Sequence, residues 1–209
     1  MKRKLIFLII ALGIVAQFGL LSTIIIRREL TLRSGEICRF ETAPVDPFDA
    51  FRGQYVQLSY TAFSSGVLSD RSFTANTWCY LLLTTDTNGY QIVSSITDSK
   101  PTSGTFIRTR VRYSYEDHIE KPTPDNKYHR EPTGKWKVHL NLPFDRYYMP
   151  EKLAPQAETA YREANRAARR EKQAVARVRI WRGMAVIEDI EIDGKPIREV
   201  IQAERIIKP

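Results

Sequence analysis

Three histidines, two cysteines and two adjacent carboxylate pairs are the side chains from which a reaction or a metal site in this 209-residue chain would be built. His118 and His129 lie in a polar stretch and His139 in a strand-like run. None has the i,i+4 or CxxC spacing that brings ligands onto one metal ion. Glu116-Asp117 and Glu188-Asp189 are sequence neighbours, and neighbours on a strand face opposite ways, so neither pair can share a substrate. The serines lack a G-x-S-x-G setting, with Ser64-Ser65-Gly66 reading as a turn, and no Gly-rich phosphate loop, HExxH or Ser-x-x-Lys is present. Cys38 and Cys79 sit in strand-like contexts. They would pair in an oxidising compartment if their Cα atoms came within about 4.4–6.8 Å, or else remain two buried thiols. The expectation is no metal and no cofactor, with no catalytic residue assigned and the balance tilted away from an enzyme.

A second chemistry is cationic. Arg108, Arg110 and Arg112 alternate with Ile107, Thr109, Val111 and Tyr113, and Lys135, Lys137 and His139 alternate with Trp136, Val138 and Leu140. Arg177 and Arg179 occupy one side of a third run. If these strands are neighbours, their outer faces form a basic surface suited to anionic lipid, an anionic envelope polymer or an acidic partner. The alternative is a solvated face in which Glu188 or Glu191 balances Arg177 and Arg179 across a hairpin. The formal charge of +8 does not point to nucleic acid, because residues 1–28 hold five basic and no acidic side chains, leaving 27 basic against 24 acidic beyond them.

The elements that would carry these residues begin with Leu5 to Ile26, 22 uncharged residues that reach about 33 Å as a helix, enough for a hydrocarbon core of about 30 Å. The run is too long for a signal-peptide core and ends in Ile24, Ile25, Ile26 and Arg27 without a small-residue cleavage site. It reads as an uncleaved anchor. Lys2, Arg3 and Lys4 on one side and Arg27, Arg28, Arg33 and Arg39 on the other leave the charge rule for orientation close to a tie. Residues 1–28 are therefore read as the anchor and residues 29–209 as one soluble domain.

That domain is patterned for short strands. TWCYLLLTT (77–85) and YQIVSSIT (90–97) flank an Asn-Gly turn, ARVRIW (176–181) and MAVIEDIEI (184–192) flank Arg182-Gly183, and Asp193-Gly194 follows. Three prolines and many charges predict an exposed loop over about 115–134. Residues 151–174 predict a single surface helix, whose stripe of Ala157, Ala160, Tyr161, Ala164, Ala167 and Ala168 is too thin to bury deeply. Arg162, Arg166, Arg169, Arg170 and Lys172 would extend the basic surface. The fold class is α+β: a transmembrane helix, then a β-dominated antiparallel domain with one helix.

Three segments carry a family resemblance. GQYVQLSY, Gly53 to Tyr60, resembles the signature of the GDYXXLXY family of membrane-anchored bacterial proteins, with PVDPFDAFR (44–52) similar to its lead-in. RYYMPE, Arg146 to Glu151, and IEIDGKPI (190–197) resemble two further family segments. The resemblance implies an anchor, an extracytoplasmic domain on the cytoplasmic membrane and an unassigned role beside an integral membrane partner. It directs attention to Gly53, Tyr55, Leu58 and Tyr60 in the first segment and to Arg146, Tyr147, Pro150 and Glu151 in the second. The signature aspartate is Gln54 here, and a carboxamide neither ionises nor accepts a proton usefully, which argues against a catalytic motif. As a strand, the segment places Val56, Leu58 and Tyr60 on one face and Tyr55, Gln57 and Ser59 on the other. The expected function is a non-enzymatic interaction module, for a membrane partner or an anionic envelope surface. The alternative is a hydrolase-like envelope enzyme with a pocket between residues 53–60 and 146–151.

Overall fold

The computed structural model describes residues 2–43, 55–122, 128–150, 153–167 and 174–207. Its first element is α1 (Lys2–Ser34), a continuous helix whose stretch Ile9–Ser34, containing an 18-residue window of mean hydropathy 2.4, is long and apolar enough to cross a membrane. The helix does not end at the apolar boundary. It runs on through Arg27 and Arg28, packs against two domain strands, and stops where Thr31 and Gly35 are buried. Gly35 donates its N–H to the Thr31 carbonyl at 2.9 Å, and its Cα lies so close to the neighbouring strand that a Cβ would sit 3.1 Å from the Ile180 nitrogen. The first strand, β1 (Glu36–Ala43), starts at the next residue, so no linker separates helix from sheet.

Three sheets follow. The first contains β1, β3 (Ser59–Tyr60), β10 (Ala174–Trp181), β11 (Met184–Ile192) and β12 (Lys195–Pro196), in the order β12-β11-β10-β1-β3. The second contains β4 (Val67–Ser69), β5 (Trp78–Thr85), β6 (Gln91–Thr97), β7 (Phe106–Pro122) and β8 (Tyr128–Asn141), in the order β4-β8-β7-β5-β6. Its edge strands β4 and β6 approach one another, so the sheet curls. A two-stranded sheet joins β2 (Tyr55–Gln57) to β9 (Arg146–Tyr148). Every pairing within the sheets is antiparallel, as the fold-class expectation required.

Alternation decides what is buried. Cys38, Phe40, Val178 and Ile180 from the first sheet meet Leu81 and Ile107 from the second in one core. An aromatic cluster of Phe40, Tyr60, Phe63 and Phe144, with ring centroids 5.1–6.2 Å apart, fills its centre. The β10–β11 turn touches the other sheet: the Arg108 N–H donates to the Gly183 carbonyl at 2.8 Å, and Gly183 holds φ +86. A Cβ there would lie 2.8 Å from the Phe106 ring.

Four expectations need correction. The described residues of the stretch 115–134 are not a loop: β7 and β8 pair out to Pro122 and Tyr128, and residues 123–127 lie outside the described residues. In a two-stranded ribbon each chain has one free edge, and Pro132 sits opposite His118, where the register shifts, so the prolines do not break the pairing. A bulge between Val111 and Tyr113 also turns Tyr113 outward, to 45% exposure, against the expected inward position. The helix α3 (Ala154–Ala167) buries Ala157, Ala160, Tyr161 and Ala164 almost completely, because methyl side chains let its backbone approach β2 and β10 closely while Tyr161 fills the gap. On its surface Glu158 and Arg162, four residues apart, form an ion pair at 2.6 Å. A short α2 (Thr61–Ser64) and a C-terminal α4 (Ile197–Ile207), seated through Ile197 and Ile201, add helices that the sequence reading did not contain.

Candidate functional site

The two family-like segments are hydrogen-bonded neighbours. Tyr55 pairs with Tyr148, Val56 with Tyr147 and Gln57 with Arg146, and Leu58 N–H continues the contact to the Asp145 carbonyl at 2.8 Å. The two-residue period then sorts the side chains. Val56, Leu58 and Tyr60 are buried, whereas Tyr55, Gln57 and Ser59 face outward. Tyr60 donates its hydroxyl to the Phe144 carbonyl at 2.5 Å, and burial pushes its pKa up, so it is a structural tyrosine with no accessible proton. Tyr147 is also buried and donates to an Asp189 oxygen at 3.1 Å.

On the opposite face Tyr55 and Tyr148 lie 5.6 Å apart, and the Arg146 guanidinium sits 5.1 Å over the Tyr55 ring. The structure thus brings together Tyr55, Arg146 and Tyr148. Among the described residues no cleft opens between the two strands, which pair directly. Pro150 is exposed; Gly53, Gln54, the lead-in 44–52 and Glu151 lie outside the described residues.

The basic residues do not form one surface. Arg177 and Arg179 belong to the first sheet and are consumed in an ion-pair ladder: Arg179 grips Glu188 through two contacts of 3.0 Å, while Arg177 reaches Glu188 at 3.0 Å and Glu191 at 3.1 Å. Arg39 adds a 2.7 Å contact to Glu191, and the Arg179 and Arg177 guanidiniums hold the Glu188 carboxyl below its usual range. This is the charge-balanced alternative weighed above. On the second sheet Lys137 pairs with Asp117 at 2.8 Å and Lys135 is exposed. Arg108 and Arg110 instead bracket the exposed Trp78 ring, at 4.1 and 4.5 Å, and make no ion pair with the described residues. Trp78 was not singled out by sequence; only the β5–β7 register, with Trp78 opposite Arg110, reveals it. Arg112 lies 5.9 Å from the Tyr113 ring.

Beside Arg112 a cleft of about 280 Å³ includes His139, whose ring stacks on Tyr113 at 4.5 Å. Burial, followed by the Arg112 and Lys137 charges, lowers the His139 pKa, which favours the neutral ring. A larger groove of about 660 Å³ lies between α1 and the domain, where Arg146 and Tyr148 meet Arg27, Arg28 and Arg198.

Cys38 and Cys79 are unbonded and buried in different sheets, with burial raising their thiols to about 12 and about 11. They are packing residues rather than nucleophiles. Among the described residues no three His, Cys, Asp or Glu side chains converge as a metal site.

No curated protein and no solved structure matches this chain. The family model described as GDYXXLXY protein matches residues 17–190, from the second half of the apolar stretch to near the end of β11, so the IEIDGKPI segment lies almost wholly beyond the match. With both the signature strand β2 and its partner β9 inside the matched range, the chain belongs to the GDYXXLXY protein family.

Proposed function

We propose that this protein is a membrane-anchored, non-enzymatic interaction module whose domain lies on the extracytoplasmic side and engages an integral membrane partner. One observation carries the reading: α1 enters the domain without a linker, with Thr31 and Gly35 buried and β1 starting one residue later. A flexible tether of n residues lets a domain explore about 5–6 Å times the square root of n. With no tether the domain acts only on what shares its membrane surface. The Trp78, Arg108 and Arg110 cluster supplies an exposed, unneutralised contact for an acidic patch on such a partner.

The hydrolase alternative draws on the meeting of Tyr55 and Arg146, yet the strands that carry them are paired edge to edge rather than facing across a pocket.

Crosslinking the tagged full-length protein in its native membrane tests the proposal. A single integral membrane protein, recovered in near-stoichiometric amount and lost when Arg108 and Arg110 are changed to Glu, is the expected result. Recovery of the protein alone would overturn it.

A further inference from the structure

The groove between α1 and the domain is built at the height of a bilayer headgroup. Ile24, Arg27 and Arg28 are three and four residues apart, so they share one helix face. They line the groove's α1 wall, and Ile24 to Arg28 spans about 6 Å along the axis. The apolar run ends at Ile26, which puts Ile24 among acyl chains and the two arginines among phosphates. The facing wall comes from the domain: Arg146 and Tyr148 from β9 and Arg198 from α4. Tyr148 is 58% exposed, an aromatic of the kind that settles at the membrane interface.

Four guanidiniums therefore converge on one groove. Counter-charge is scarce: Glu188 also lines it but is already held by Arg177 and Arg179, and Asp145 stands 4.0 Å from Arg146. Arg27, Arg28 and Arg198 make no ion pair with the described residues. A single anion with a planar or tetrahedral array of oxygens would satisfy several of these forks together.

We infer that this groove binds the headgroup of an anionic phospholipid, its phosphate between the α1 arginines and Arg146 and Arg198, its acyl chain along Ile24. The inference rests on the anchoring reading. It assigns β9, the strand partner of the family signature, to the membrane surface.

The test uses the full-length protein extracted from bilayers holding equal phosphatidylglycerol and phosphatidylcholine, with retained lipid counted by native mass spectrometry. Phosphatidylglycerol should be retained in preference. Arg146→Gln and Arg198→Gln should each lower that preference roughly fivefold, the worth of one cation near an anionic surface. Arg130→Gln, on the β7–β8 ribbon where it pairs with Glu120, should leave it unchanged and serves as the control for folding. Excess inorganic phosphate should not displace the lipid; displacement would overturn the lipid in favour of a free anion. Equal retention of both lipids, or full preference in the Arg146→Gln, Arg198→Gln double variant, would overturn the site while leaving the anchor intact. Absence of the protein from the alkali-washed membrane fraction would overturn the anchoring reading and this inference with it.

Discussion

Glu188 and His139 each contribute to the pH response of the fold, and their windows differ. Glu188 is held below its ordinary value of 4.5 by two arginines, so its ladder stabilises fully above that value and loses strength as pH falls through the lowered pKa. His139 is held below 6.5 by burial and two cations. The unfolded chain therefore takes up that proton first, and stability starts to fall once pH drops under 6.5. Thermal unfolding followed from pH 8 down to pH 2 should show His139→Gln flattening the part of the decline just below pH 6.5 and Glu188→Gln the part below pH 4.5. A slope unchanged by either variant would exclude these groups as its source. At this scale much was legible: the 53–60 alternation separates Tyr60 from Tyr55 by period alone, and Glu188 with Glu191 could be matched to Arg177 and Arg179 across a two-residue turn. What residue types do not disclose is a partner on a distant strand, which is why Trp78 went unseen until β5 was paired with β7.

Among the elements, the β10–β11 hairpin is the joint between the two large sheets. Gly183 combines φ +86 with a backbone bond to Arg108 and a ring packed on its Cα, so alanine there meets both backbone strain and the Phe106 ring. Gly183→Ala should lower stability by about 1–3 kcal/mol, read from denaturant unfolding of the protein in detergent. The flanking strands should remain formed by circular dichroism. The sequence announced this hairpin because Arg182-Gly183 separates two β-prone runs. It misread 115–134 because proline density is a statement about donors, and a ribbon with a free edge needs only half of them. It undervalued α3 for a related reason: hydropathy scores alanine low, while packing depth depends on how closely two backbones approach.

Taken whole, the molecule is a strand-rich domain mounted on a membrane-length helix. The strand order could not be read in advance, since β1 lies between β3 and β10, and the β10 pairing joins residues 140 positions apart, as in Cys38 opposite Val178. That order is also what separates Arg177 and Arg179 from Arg108 and Arg110. The proposed extracytoplasmic placement has a direct check, helped by the chemistry of the native cysteines. Both thiols are buried with raised pKa values, so a cysteine introduced at exposed Lys121 should be the dominant site for a maleimide that cannot cross membranes. Labelling on intact spheroplasts is expected; protection there with labelling after lysis would place the domain in the cytoplasm.

The direct passage of α1 into β1 also has a mechanical meaning. A helix that is clamped at Thr31 and Gly35 transmits torque, because each residue within it fixes about 100° of azimuth and about 1.5 Å of height for everything above. Under the proposed anchoring, rotation of α1 in the bilayer would therefore swing Trp78, Arg108 and Arg110 around the membrane normal as a rigid pointer, and a partner bound to that face would sense the azimuth of the helix.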